Sequence, residues 1–91
     1  MRTFSRTKQF KKDVKRAGKR GKDLARLKAA LDLLVDGEPL PAQYKDHPLR
    51  GAFVGSRDCH LEPDWVLIYT LLENGGHVRL ERTGTHSDLF C

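Results

Sequence analysis

No apolar run in this 91-residue chain approaches the roughly 20 residues needed to cross a bilayer. The opening MRTFSRTKQF lacks the hydrophobic segment of a secretory signal, so a cytoplasmic address without membrane contact is expected. Cysteine is scarce. Cys59 lies inside a polar stretch and Cys91 is the last residue, which gives no sign of a disulfide framework. No CxxC occurs, so spacing lends no support to a structural zinc site. Internal repeats and low-complexity linkers are missing as well. The length suits one domain, residues 1–91, with a modest core.

Charge is plentiful but unevenly placed. Residues 1–28 carry twelve Lys or Arg against Asp13 and Asp23, a net of +10. Residues 29–91 carry five basic side chains against ten acids, a net of −5. A basic N-terminal third on a nearly balanced body points to a polyanionic partner, with nucleic acid favoured over a merely solvated helix face.

The residues RTFS suit a short strand. Phe10, Val14 and Ala17 recur at helical spacing, with Gly18 as the stop. Asp23 can cap a second helix, whose stripe of Leu24, Leu27, Leu31, Leu34 and Val35 ends at Asp36–Gly37. A connection of about five residues predicts an antiparallel helical hairpin with its lysines and arginines outward. A loop-rich crossing from Pro39 to Gly55 follows, in which Pro48 holds His47 extended. Three strands are expected: Arg57–Leu61, the almost wholly apolar Trp65–Leu72, and His77–Thr83 after a turn at Glu73–Gly76. Gly84 should break the last, and THSDLF could form a closing helical turn capped by Thr85. The predicted fold is α+β: an N-terminal strand and a helical hairpin packed on one face of a small antiparallel β-sheet, the other face open.

Three histidines stand beside turn or strand-end signals: His47 in YKDHPL, His60 in RDCHLEPDW and His86 in RTGTHSDLF. All three could converge on the open face, whereas His77 in the glycine turn reads as exposed filler. Such a set suits cleavage of an RNA phosphodiester, which needs no cofactor because the neighbouring 2′-OH is the nucleophile. Imidazole can serve as base or acid near neutrality, and a guanidinium can hold the phosphorane charge. Arg82 is the candidate cation, although its strand parity requires a twist or bulge to turn it to the open face. The metal alternative would use His60, Glu62 and Asp64, which share a face only if the strand runs on through Pro63. EPDW reads instead as a turn, leaving Asp64 to orient a histidine, accept a proton or simply bond backbone amides. Trp65 could stack on a base or anchor its strand, and Phe90 is placed to meet a ligand. Tyr44, Lys45 and Asp46 share the loop of His47, with a structural role favoured for Tyr44.

The succession YKDHPLRG, RDCHLEPDWVLIYTL and RLERTGTHSDLF, behind the basic hairpin, closely resembles the YafQ branch of the RelE-type bacterial toxins over essentially the whole chain. The resemblance implies a RelE-like domain and a ribosome-dependent endoribonuclease of a type II toxin–antitoxin pair, cutting mRNA in the ribosomal A site. It implies a neutralising antitoxin, with operator DNA reached only through that partner, and no metal or other cofactor. It places functional positions at His47, His60, Asp64, His86 and Phe90, with Trp65 and Arg82 as neighbours. His86 is then the general acid, His60 and Asp64 manage the attacking hydroxyl, and His47 aids phosphate or proton handling. Lys8, Lys11, Lys12, Lys15, Arg16, Lys19, Arg20 and Lys22 would contact ribosomal RNA backbone. Cys59 and Cys91 depart from the pattern and are not needed by it. Two other readings remain: a gyrase-inhibiting toxin of the same fold, and a non-catalytic RNA-binding module.

Overall fold

The computed structural model describes residues 1–90; Cys91, expected to be a spare thiol, lies outside the described residues. Five strands form one sheet: β1 (Thr3–Arg6), β2 (His47–Pro48), β3 (Arg57–Glu62), β4 (Trp65–Leu72) and β5 (His77–Gly84), in the order β1-β5-β4-β3-β2. Helices α1 (Lys8–Lys19) and α2 (Leu24–Asp36) separate β1 from β2, and α3 (His86–Phe90) ends the described chain. Among the described residues, no helix is long and apolar enough to cross a membrane.

Local chemistry sets these boundaries. The Thr7 hydroxyl accepts from the Phe10 amide to open α1, and the Asp23 carboxylate accepts from the Ala25 amide to open α2. Gly37 closes α2 in the left-handed region at φ 76°, where a side chain would be strained. Phe10, Ala17, Leu27, Ala30 and Leu34 from the helices share a core with Cys59, Leu61, Trp65, Leu67, Tyr69, Val78 and Leu80 of the sheet. Leu24, expected in that stripe, is exposed at the first turn of α2.

The sheet departs from the expected antiparallel arrangement at its edge. β1 pairs parallel to β5, because α1 and α2 carry the chain away before β5 is laid down. His77 is no filler there: the Thr3 and Ser5 hydroxyls sit 2.7 and 2.8 Å from its two ring nitrogens, tying β1 to β5. His47 and Pro48, expected in a loop, form a two-residue strand on β3. Gly84 is the last residue of β5, one beyond the expected strand end at Thr83. The second sheet face is also less bare than expected, since Val66, Ile68 and Leu89 cluster there with Leu49 and Phe53.

Two bulges decide which side chains reach that second face. On β3 the register steps from His60↔Val66 to Glu62↔Trp65, so Leu61 is an extra residue. On β5 it steps from Leu80↔Tyr69 to Arg82↔Ile68, so Glu81 is extra. The first bulge turns Glu62 toward the helices, where it meets Lys22 at 3.3 Å. The second turns Arg82 onto the row of Ile68.

Candidate active site

β2, β3 and the start of α3 each contribute one imidazole to a single row. The His47 and His60 ring centroids are 6.3 Å apart, and those of His60 and His86 are 5.6 Å apart. Phe90 continues the row 5.6 Å beyond His86, and Phe53 meets Phe90 edge-on at 5.8 Å. Phe90 is 41% exposed, so its face is available to a ligand. The three histidines predicted from distant segments therefore do meet on one face.

Two carboxylates fix two of the rings. The Asp64 Oδ1, in the two-residue Pro63–Asp64 turn, lies 3.1 Å from both the backbone amide and the Nδ1 of His86. A carboxylate only accepts, so the His86 ring carries a proton on Nδ1 and presents Nε2 outward, where a second proton makes it an acid. The His86 backbone amide, then its ring, hold the Asp64 carboxyl below the ordinary carboxylate range. At the other end, His47 Nδ1 donates to the Lys45 carbonyl at 2.8 Å and lies 3.0 Å from Asp58 Oδ1. Both neighbours are acceptors, which again leaves Nε2 facing out.

Asp58 did not figure among the sequence candidates. It is 2% exposed, on the row that pairs it with His47 and Ile68. Its Oδ1 is sealed from solvent and accepts no well-aligned hydrogen bond, because the His47 N–H points at the carbonyl instead. Burial raises its carboxyl above the ordinary range, while His47, then His60 and His86, pull it back down. The signal was present in the sequence: Asp58 and His60 are two apart on one strand and so share a face.

Other candidates sit differently. Trp65 is 1% exposed on the helix side, with the Lys22 ammonium 5.8 Å from its ring centre; strand alternation turns it away from the histidines, so it anchors the core and offers no base-stacking surface. Arg82 reaches the expected face, but its Nε and Nη2 donate to the buried Asp13 at 2.7 and 3.2 Å. Glu62 has turned from His60 and Asp64, which removes the ligand set of the metal alternative. Among the described residues, no three His, Cys, Asp or Glu side chains are grouped to hold a metal. Burial pushes the Cys59 thiol up to about 12, so it is inert. Of the basic set, Arg16 and Arg20 pair with Asp88, and Lys22 with Glu62. Lys8, Lys11, Lys12, Lys15 and Lys19 make no ion pair among the described residues and share about 100° of the α1 surface.

Comparison with known proteins agrees with this architecture. Residues 2–91 match the family model described as bacterial toxin of type II toxin–antitoxin system, YafQ. The mRNA interferase toxin YafQ of Escherichia coli strain K12 is 55% identical over 83 residues, covering 90% of this chain and 88% of that protein. Toxin in a crystal structure of the E. coli DinJ–YafQ complex superposes with a TM-score of 0.91 at 51% identity, covering all of both chains. A metal-bound toxin from Helicobacter pylori gives 0.90 at 41% identity, covering 99% of this chain and all of that one. Matched along almost its whole length in both sequence and fold, the chain belongs to the YafQ family of bacterial toxins of type II toxin–antitoxin systems.

Proposed function

We propose that this chain, as one RelE-like domain, is an mRNA interferase: a ribosome-dependent endoribonuclease that cuts mRNA in the A site without a metal ion. The observation that carries the reading is the row of three imidazoles, two of them with Nδ1 committed and Nε2 free. Rings 5.6 and 6.3 Å apart stand side by side, so one phosphodiester laid across the row can meet two neighbouring imidazoles. His86, held by Asp64, protonates the leaving 5′-oxygen through Nε2, and a second imidazole of the row removes the 2′-OH proton. Asp64 thus positions the acid rather than managing the hydroxyl. Arg82 keeps Nη1 for a phosphate oxygen, since Asp13 occupies its other nitrogens. Phe90 stacks on an unpaired base.

The five unpaired lysines of α1 dock the toxin on ribosomal RNA backbone, with Arg16, Arg20 and Lys22 as outlying contacts. A cytoplasmic antitoxin neutralises the chain, as the DinJ–YafQ complex illustrates for the E. coli toxin. Operator DNA is met only through that antitoxin. A cell-free translation assay with mapped mRNA ends tests this. Cuts appearing only on ribosome-bound message are expected. Arrest without cuts, or inhibited DNA supercoiling, would overturn it in favour of an RNA-binding module or a gyrase poison.

A further inference from the structure

We infer that Asp58 is a positioning residue that makes His47 the base of the reaction. The inference rests on the nuclease reading above. A buried carboxylate with no aligned hydrogen bond is costly to keep unless a nearby cation offsets it. Asp58 is such a group, and its sealed Oδ1 faces His47 Nδ1 at 3.0 Å. The groups around it are His47 from β2, His60 from its own strand, His86 from α3, and Asp46 from the loop before β2. Three of these four become cations when protonated, and His47 is the nearest.

The geometry gives this arrangement a direction. The Lys45 carbonyl fixes the Nδ1 tautomer of His47, so its Nε2 lone pair is the free base. In the step itself, the 2′-OH proton moves to His47 Nε2 while the oxygen's electron pair forms a bond to phosphorus. The P–O5′ bond breaks, and His86, entering the step as the imidazolium with a proton on each ring nitrogen, gives its Nε2 proton to O5′. The products are a 2′,3′-cyclic phosphate and a 5′-hydroxyl, and His47 has gained the proton that His86 lost. The step thus places a proton on His47, and at that moment its 3.0 Å separation from the buried Asp58 carboxylate becomes an ion pair. An interaction that strengthens in the transition state raises the chemical rate without tightening substrate binding.

Asp64 differs in the property that matters: its side chain is 69% exposed, against 3% for Asp58. Both rings are about half exposed, so the difference lies in the carboxylates: solvent hydrates Asp64, whereas Asp58 sits inside the protein with its sealed oxygen against His47. The two His–Asp pairs are thus unequal, and the one with the buried carboxylate suits the ring that must gain charge.

Asp58→Asn in the full-length toxin tests this by two independent readouts. Nitrogen-15 spectra of the free protein should keep the Nδ1–H tautomer of His47, held by Lys45, but lose the downfield displacement of its imidazolium Nδ1 proton at low pH. On ribosomes, single-turnover cleavage should fall about a hundredfold at saturation with KM unchanged. Paired with His47→Gln, the two losses should not add. Should the Asn chain not fold, Asp58→Thr, a strand-compatible uncharged acceptor, carries the same expectations. Parental cleavage by a folded variant, or additive losses with His47→Gln, would overturn the assignment. If the parent itself does not cut RNA, the nuclease reading fails, and the spectra alone still decide whether Asp58 and His47 interact.

Discussion

At the scale of single residues, His86 has the clearest task. Its side chain is about half exposed and touches Asp64 and Phe90 rather than the core. His86→Ala should lower mRNA cleavage by about a hundredfold or more, while the thermal midpoint and antitoxin binding stay at parental values. Retained growth arrest in cells making that variant would contradict its role. The sequence located this residue well, because imidazoles beside turn signals are rare enough to stand out. It located partners less well. EPDW announced the turn that brings Asp64 to His86, but nothing announced the bulge at Leu61 that turns Glu62 away. Trp65 was ambiguous because the first strand residue after a turn can face either way, and only the register with Glu62 settles it. Asp58 was passed over although its parity with His60 was legible.

At the scale of elements, α3 matters most, since it carries His86 and Phe90 yet spans only five residues. A helix so short is held by its ends. The Thr85 hydroxyl accepts from the Asp88 amide, and Asp88 Oδ2 accepts from the Thr85 amide, a reciprocal cap. Arg20 then binds Asp88 at 2.7 Å and ties α3 to the end of α1. Gly84 makes room, because a Cβ there would lie 3.0 Å from Asp88 Cβ. Arg20, then the Thr85 amide, hold the Asp88 carboxyl well below the ordinary range. A depressed acid stabilises the fold above its unfolded value, about pH 4, and that contribution is lost as pH falls further. Asp88→Asn should therefore flatten the fall in thermal midpoint between about pH 6 and pH 3, and should cut cleavage by loosening His86. Asp13 is the corresponding clamp for β5: buried in α1, it accepts from Arg82 and from the Thr83 amide. Asp13→Ala would strand that arginine and should cost about 3–5 kcal/mol in denaturant unfolding. The start and stop of α2 were readable from Asp23 and Gly37, whose chemistry is local, whereas the Thr7 cap of α1 was not singled out and Gly18, its expected stop, lies inside the helix. The parallel β1–β5 pairing was not readable, because it joins residues more than seventy positions apart and depends on where both helices lie.

At the scale of the whole molecule, charge and chemistry occupy different elements: lysines on α1, imidazoles across β2, β3 and α3. Replacing Lys8, Lys11, Lys12, Lys15 and Lys19 together with Ala should weaken ribosome binding and flatten its salt dependence, leaving the thermal midpoint nearly unchanged. One replacement alone should do little. Unaltered salt dependence in the fivefold variant, measured by ribosome co-sedimentation, would assign docking elsewhere. The charge asymmetry was plain from the sequence, but its sorting was not, since Arg16, Arg20 and Lys22 turn out to spend their charge on Asp13, Asp88 and Glu62. The central claim is that a row of imidazoles moves protons between the 2′-OH and the 5′-oxygen of a ribosome-bound message. The chemistry of the cut ends tests it most directly. The account predicts a 2′,3′-cyclic phosphate on one fragment, a 5′-hydroxyl on the other, and no cut where the nucleotide carries a 2′-deoxyribose. Fragments ending in 3′-hydroxyl and 5′-phosphate, or cleavage that survives loss of the 2′-OH, would contradict it.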